Sequence, residues 1–200
     1  MGGSAERRPI VFVVSGLPRS GTSMMMRMLA EGGAPILADA ARSADADNPR
    51  GYYELEAVKA TARDASWVTG APGCVVKVIS SLLPHLPDHW TYRVVFMRRG
   101  IDQIVRSQRA MLDRLGNTPM GEDERAARHA LARHLVDIEC WLETARHMRI
   151  LGVGYERVLA EPAREIDRIC RFLELELDVA AMRRAVEPAL QRQKIQQESA

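Results

Sequence analysis

The stretch VSGLPRSGTSM, residues Val14–Met24, decides how the rest of the chain is read. A continuous apolar run, IVFVVS at Ile10–Ser15, leads into it, and such a run marks a strand covered on both faces. Helix-forming residues, TSMMMRMLAE at Thr22–Glu31, follow it and stop at Gly32–Gly33. The segment therefore reads as strand, glycine loop, helix. Gly16 and Gly21 let backbone amides turn toward an anion, and the helix start adds its dipole. The spacing is GxxxxG with Thr22 and Ser23 after it, as in nucleotide-binding phosphate loops. An ATPase loop of that kind carries Lys where Thr22 stands; here Arg19 is the only base in the loop. A plain Gly/Pro turn is the bland alternative, and it leaves the order of strand, loop and helix unaccounted for.

Working outward, strands and helices alternate. Cys74–Ile79 (CVVKVI), Tyr92–Met97 (YRVVFM) and Arg149–Tyr155 are predicted strands, with a short one at Ala34–Leu37. Helices are predicted at Glu54–Trp67, Asp102–Leu115, Glu122–His147, Pro162–Leu173 and Asp178–Leu190, and Ala38–Gly51 reads as a loop. The Glu122–His147 helix has an inner stripe of Leu131, Leu135, Ile138 and Leu142. The expected fold class is α/β, in three layers, with a mostly parallel central sheet flanked by helices. One domain is expected over 10–190, after a flexible leader at 1–9 and before a polar tail at 191–200. Ligand then sits beyond the carboxyl ends of the strands. A magnesium-dependent nucleotidase needs a carboxylate at a strand end. Neither CVVKVI nor YRVVFM ends in one, and the second runs into Arg98–Arg99. The loop is suited to an anion without a metal.

Composition narrows the function further. The chain has 200 residues, 46% hydrophobic and 27% charged, which excludes disordered and collagen-like classes. Its 28 bases and 26 acids leave +2, too little for a nucleic-acid partner. The longest apolar run, Ile10–Val14, falls far short of the ~20 residues of a membrane span. Cys74, Cys140 and Cys170 are odd in number and unpaired in spacing, so neither a disulfide framework nor a zinc site is inferred. The chain reads as a cytoplasmic protein with no membrane contact. Lys is rare, at Lys59, Lys77 and Lys194 alone. Lys77 lies inside an apolar strand, where an unpaired ammonium is expensive; it must reach a sheet edge or find an anion.

With these residues in view, GLPRSGT resembles the 5′-phosphosulfate loop of the sulfotransferases that use 3′-phosphoadenosine-5′-phosphosulfate (PAPS), which reads PKSGT or PRSGT in that family. A second family element is a strand ending in Arg with Ser eight residues later, and VVFMRRGIDQIVRSQ supplies Arg99 and Ser107 at that spacing. Together with DNPRGYYE and VGYERVLAEP, the chain is similar to small bacterial members. The resemblance implies a P-loop-like fold and a sulfuryl group moved from PAPS to a hydroxyl or amine, releasing adenosine 3′,5′-bisphosphate without a metal. It implies Gly16, Pro18, Arg19, Ser20, Gly21, Thr22 and Ser23 around the 5′-phosphosulfate. It implies Ser107 with Arg98 or Arg99 at the 3′-phosphate, the choice between the two staying open. Arg19 then neutralises the leaving phosphate, and Lys77 the sulfuryl oxygens. The family's histidine base falls on Ile79, which cannot serve. Glu54 becomes the candidate base, with His85 and His89 as rivals. A small-molecule or glycan acceptor is implied, and a homodimer is compatible with the chain. The other classes consistent with such a loop are a nucleotide-dependent kinase and a non-catalytic nucleotide-binding module.

Overall fold

The computed structural model describes residues 9–39, 53–114 and 121–186. Four strands form one parallel sheet in the order β2-β1-β3-β4. They are β1 (Ile10–Gly16), β2 (Val75–Lys77), β3 (Thr91–Arg98) and β4 (Met148–Gly154). The register sets Val14 beside Lys77 on one side and beside Val95 on the other. Helices α1 (Thr22–Glu31), α2 (Ile101–Arg114), α3 (Gly121–Thr144), α4 (Tyr155–Ala160) and α5 (Pro162–Leu173) flank it. A further helical run extends from 179 to 186. None of the described helices is long and apolar enough to cross a membrane.

Successive strand residues point to opposite faces, so each strand feeds two cores. Phe12, Val14, Val95 and Met97 pack with Met25, Met26, Met28 and Leu29 of α1 and with Ile166 and Ile169 of α5. Val11, Val13, Val94 and Phe96 pack on the other face with Ile138 of α3 and with Val58 and Val68. Burial on both faces is why the strands read as unbroken apolar runs.

Three expectations are corrected. Glu54–Trp67 is not a helix but two 3-10 turns, Glu56–Ala60 and Ser66–Gly70. Short polar side chains there bond the backbone locally: Thr61 Oγ1 donates to the Val58 carbonyl at 2.6 Å, and Asp64 Oδ1 accepts from Ser66 N–H at 2.9 Å. These bonds compete with the helical ladder. Ala34–Leu37 makes only a bridge, Ile36 to Val75, because Pro35 has no N–H to extend pairing. The Cys74–Ile79 strand shrinks to Val75–Lys77 at the sheet edge, where the chain leaves into a 3-10 turn at Ser80–His85. The loop assigned to 38–51, the leader and the tail fall largely or wholly outside the described residues.

Candidate active site

Because all strands run parallel, the segments following β1, β2 and β3 emerge at one edge of the sheet. The loop from β1 to α1 takes its shape from two glycines. Gly16 has φ 146°, and a Cβ there would stand 2.6 Å from Ser20 Oγ and 2.7 Å from the Met97 carbonyl oxygen. Gly21 has φ 101°, and a Cβ there would stand 2.5 Å from Tyr155 Cδ2. Arg19 also adopts the left-handed region, φ 69°, at a cost of about 1–3 kcal/mol for a non-glycine residue. Two long-range bonds hold it there. Its Nε donates to Ser107 Oγ at 3.0 Å, and its carbonyl accepts from Arg99 Nη1 at 3.1 Å.

The loop fits an anion on structural grounds. Gly21, the N-cap of α1, offers no side-chain cap, and the helix has no acidic residue in its first turn. The first N–H groups and the dipole are therefore available to a negative charge. Ser20 is 1% exposed, and its Oγ has no hydrogen-bond partner among the described residues. A buried hydroxyl without a partner calls for an acceptor or donor from outside.

Lys77 finds both an edge and an anion. Its Nζ donates to Ser23 Oγ at 3.2 Å and to Glu54 Oε1 at 3.0 Å, while its side chain is only 9% exposed. The ammonium thus links the loop to a carboxylate that is itself 26% exposed. Arg99 is held three ways: by the Arg19 carbonyl, by Gln103 Oε1, which accepts from its Nε at 3.1 Å, and by the Tyr155 ring, whose centroid lies 4.3 Å from the guanidinium carbon. Arg98 leaves the cluster. It lies over Gly152 and pairs with Glu139 of α3 at 2.8 Å.

Of the residues singled out in the sequence, Gly16, Arg19, Ser20, Gly21, Thr22, Ser23, Glu54, Lys77, Arg99 and Ser107 converge on this edge. Pro18 is exposed in the loop, and Thr22 is the buried first residue of α1. Among the described residues neither His85 nor His89 hydrogen-bonds to any of them: both are exposed, His85 closing the 3-10 turn after β2 and His89 two residues before Thr91, at the opposite end of the sheet. Tyr155, Gln103 and His134 were not singled out. His134 Nε2 lies 2.8 Å from Ser80 Oγ just beyond β2. No local pattern announces these pairings; only the VGYERVLAEP segment points to Tyr155.

A phosphate-type loop on a parallel sheet with helices on both faces defines a P-loop-like α/β fold. A model of the sulfotransferase family matches residues 55–179, and the chain belongs to that family. No curated protein matches it in sequence. Among solved structures it is similar to mouse sulfotransferase SULT7A1 complexed with PAP, at 16% identity over 90% of this chain and 63% of that one, with a TM-score of 0.56. It is similar to the sulfotransferase STF1 from Mycobacterium tuberculosis (18% identity, 90% and 70% of the two chains, TM-score 0.54). A sulfotransferase from Alicyclobacillus acidocaldarius matches at 13% identity over 92% and 96% of the chains, with a TM-score of 0.52. At these identities the likeness is one of fold.

Proposed function

We propose that this sulfotransferase takes its sulfuryl group from PAPS, passes it to a hydroxyl or amine of a small-molecule or glycan acceptor, and releases adenosine 3′,5′-bisphosphate. The observation that carries the reading is the double contact of Lys77, with Ser23 of the loop and with Glu54. PAPS, when bound, supplies an activated sulfuryl group on a phosphate leaving group. The amides between Gly16 and Thr22 and the hydroxyls of Ser20, Thr22 and Ser23 hold the 5′-phosphosulfate, with Pro18 shaping the loop. Arg19 neutralises charge that builds on the leaving phosphate, and Lys77 does so at the sulfuryl oxygens. Glu54 accepts the acceptor's proton as sulfur is attacked. Arg99 and Ser107 hold the 3′-phosphate. Arg98, engaged with Glu139, does not take part. The mouse structure complexed with PAP supports the choice of donor.

A thermal-shift series tests the donor. Adenosine 3′,5′-bisphosphate should raise the melting temperature more than ADP or ATP, with or without magnesium. Equal shifts from ATP and the bisphosphate would sink the 3′-phosphate site. Labelled PAPS with a panel of phenol, alcohol, amine and sugar acceptors then tests transfer. Binding without transfer to any of them would leave a non-catalytic module.

A further inference from the structure

Glu54 and Lys77 lie on separate segments, yet one closed path of contacts sets their spacing. Val75 of β2 donates its N–H to the Pro35 carbonyl at 2.7 Å and accepts from Leu37 N–H at 2.9 Å. The segment so laced to β2 ends at Asp39, which brackets Glu54. The Asp39 N–H donates to the Glu54 carbonyl at 2.9 Å, and Asp39 Oδ2 accepts from Glu56 N–H at 2.6 Å. That second bond satisfies the first amide of the 3-10 turn Glu56–Ala60, whose N-cap, Leu55, makes no side-chain cap. Glu54 then meets Lys77 at 3.0 Å, and Lys77 returns the path to β2. The reacting pair is measured off one strand edge.

We propose that Asp39 is a positioning residue that holds Glu54 at the reach required for proton transfer; this rests on the reading of Glu54 as the base. Asp39 is exposed, and substitution of an ordinary exposed residue is nearly neutral. Here its carboxylate is the acceptor that anchors the backbone amide two residues after Glu54, and a displacement of about 1 Å at a reacting group can cost as much as ~10²-fold in rate. The Asp39 backbone N–H to the Glu54 carbonyl is kept by the Ala and Asn variants, so the side chain alone is under test.

The experiment is a double-mutant cycle of Asp39→Ala and Glu54→Gln, with Asp39→Asn as the conservative variant. PAPS turnover is read as release of adenosine 3′,5′-bisphosphate with the acceptor panel, and binding of the bisphosphate is measured alongside. Asp39→Ala should lower kcat roughly 10-fold and leave bisphosphate affinity within about twofold. Asp39→Asn, which keeps an acceptor oxygen, should stay within about threefold of the wild type. On the Glu54→Gln background, Asp39→Ala should cost less than about twofold, because residues acting through one another are not additive. An equal loss on both backgrounds, an undiminished Asp39→Ala, or lost bisphosphate binding overturns the proposal. Full turnover by Glu54→Gln alone overturns the base reading itself, whatever Asp39→Ala does.

Discussion

Arg99 donates from Nη1 to the carbonyl oxygen of Arg19 at 3.1 Å, while its neighbour Arg98 turns to Glu139 at 2.8 Å. Adjacent residues at a strand end face opposite ways, so only one guanidinium belongs to the loop. Arg99→Ala should weaken adenosine 3′,5′-bisphosphate by about 1.5–3 kcal/mol, the usual size for a hydrogen bond to a charged group. Adenosine 5′-phosphosulfate, which lacks the 3′-phosphate, should change only a few-fold, and Arg98→Ala should bind both as the wild type does. Isothermal titration with both nucleotides decides it; the reverse pattern would move the 3′-phosphate contact to Arg98.

Lys77 is tied to the loop through Ser23 and to Glu54. On the proposed mechanism its ammonium serves charge that grows in the transition state rather than the ground-state nucleotide. Lys77→Ala should therefore leave bisphosphate affinity within a few-fold and reduce turnover by roughly 10²-fold or more. Unchanged turnover would reduce Lys77 to a structural tie between the loop and Glu54.

Glu54→Gln keeps the shape of the side chain and an oxygen for Lys77, but removes the carboxylate proposed to take the acceptor's proton. Turnover should drop by about 10²–10⁴-fold while bisphosphate affinity holds. Retention of more than about a tenth of wild-type turnover would remove Glu54 from the base role. His134, hydrogen-bonded to Ser80 at the same end of β2, would then be substituted next.

What was legible in the sequence was local. The β1–loop–α1 unit announces itself through an apolar run and two glycines, and α1 and α5 keep the bounds read from composition, Thr22–Glu31 and Pro162–Leu173. What failed was decided at a distance. Nothing in CVVKVI says that it lies at the sheet edge, and that position is what trims β2 to Val75–Lys77. Two consecutive arginines carry no signal of which one faces the loop. The partners of Glu54 depend on Asp39 and β2 lying side by side, a consequence of topology alone. The helix expected over Glu54–Trp67 gave way to two 3-10 turns, where the side chains of Thr61 and Asp64 bond the nearby backbone.

Arg93 is a buried charge with no part in the site. Its side chain, 7% exposed, crosses from β3 to the end of α5. There it donates to the Leu173 and Phe172 carbonyls at 2.6 and 3.2 Å and pairs with Glu174 at 2.6 Å. It caps the last turn of a helix whose own residues cannot reach those carbonyls. Arg93→Met preserves length but strands the carbonyls, and should destabilise the fold by about 1.5–3 kcal/mol. Glu174→Gln, at an exposed partner, should cost less than about 1 kcal/mol. Urea midpoints compare the two, and a wild-type midpoint for Arg93→Met would refute the capping role.

His147 gives the fold a dependence on pH. Its ring stands edge-on to Tyr92 and Trp141, with centroids 5.9 and 6.3 Å away, and its Nε2 is buried without a hydrogen-bond partner among the described residues. Burial pushes its pKa below the ordinary 6.5, against the opposing charge of Asp88. In the unfolded chain the imidazole takes up a proton near that ordinary value. Between its lowered folded pKa and 6.5 the unfolded state therefore binds more protons than the folded one, and stability is lost as the pH drops through that range. Above pH 6.5 the contribution of the neutral ring is fully present. His147→Phe keeps a ring between Tyr92 and Trp141 but cannot titrate. Urea unfolding from about pH 8 to about pH 5 should show the wild type losing stability relative to His147→Phe as pH drops through that window. Two curves that stay parallel across it would mean that the ring reaches water and protonates as freely in the folded protein as in the unfolded chain.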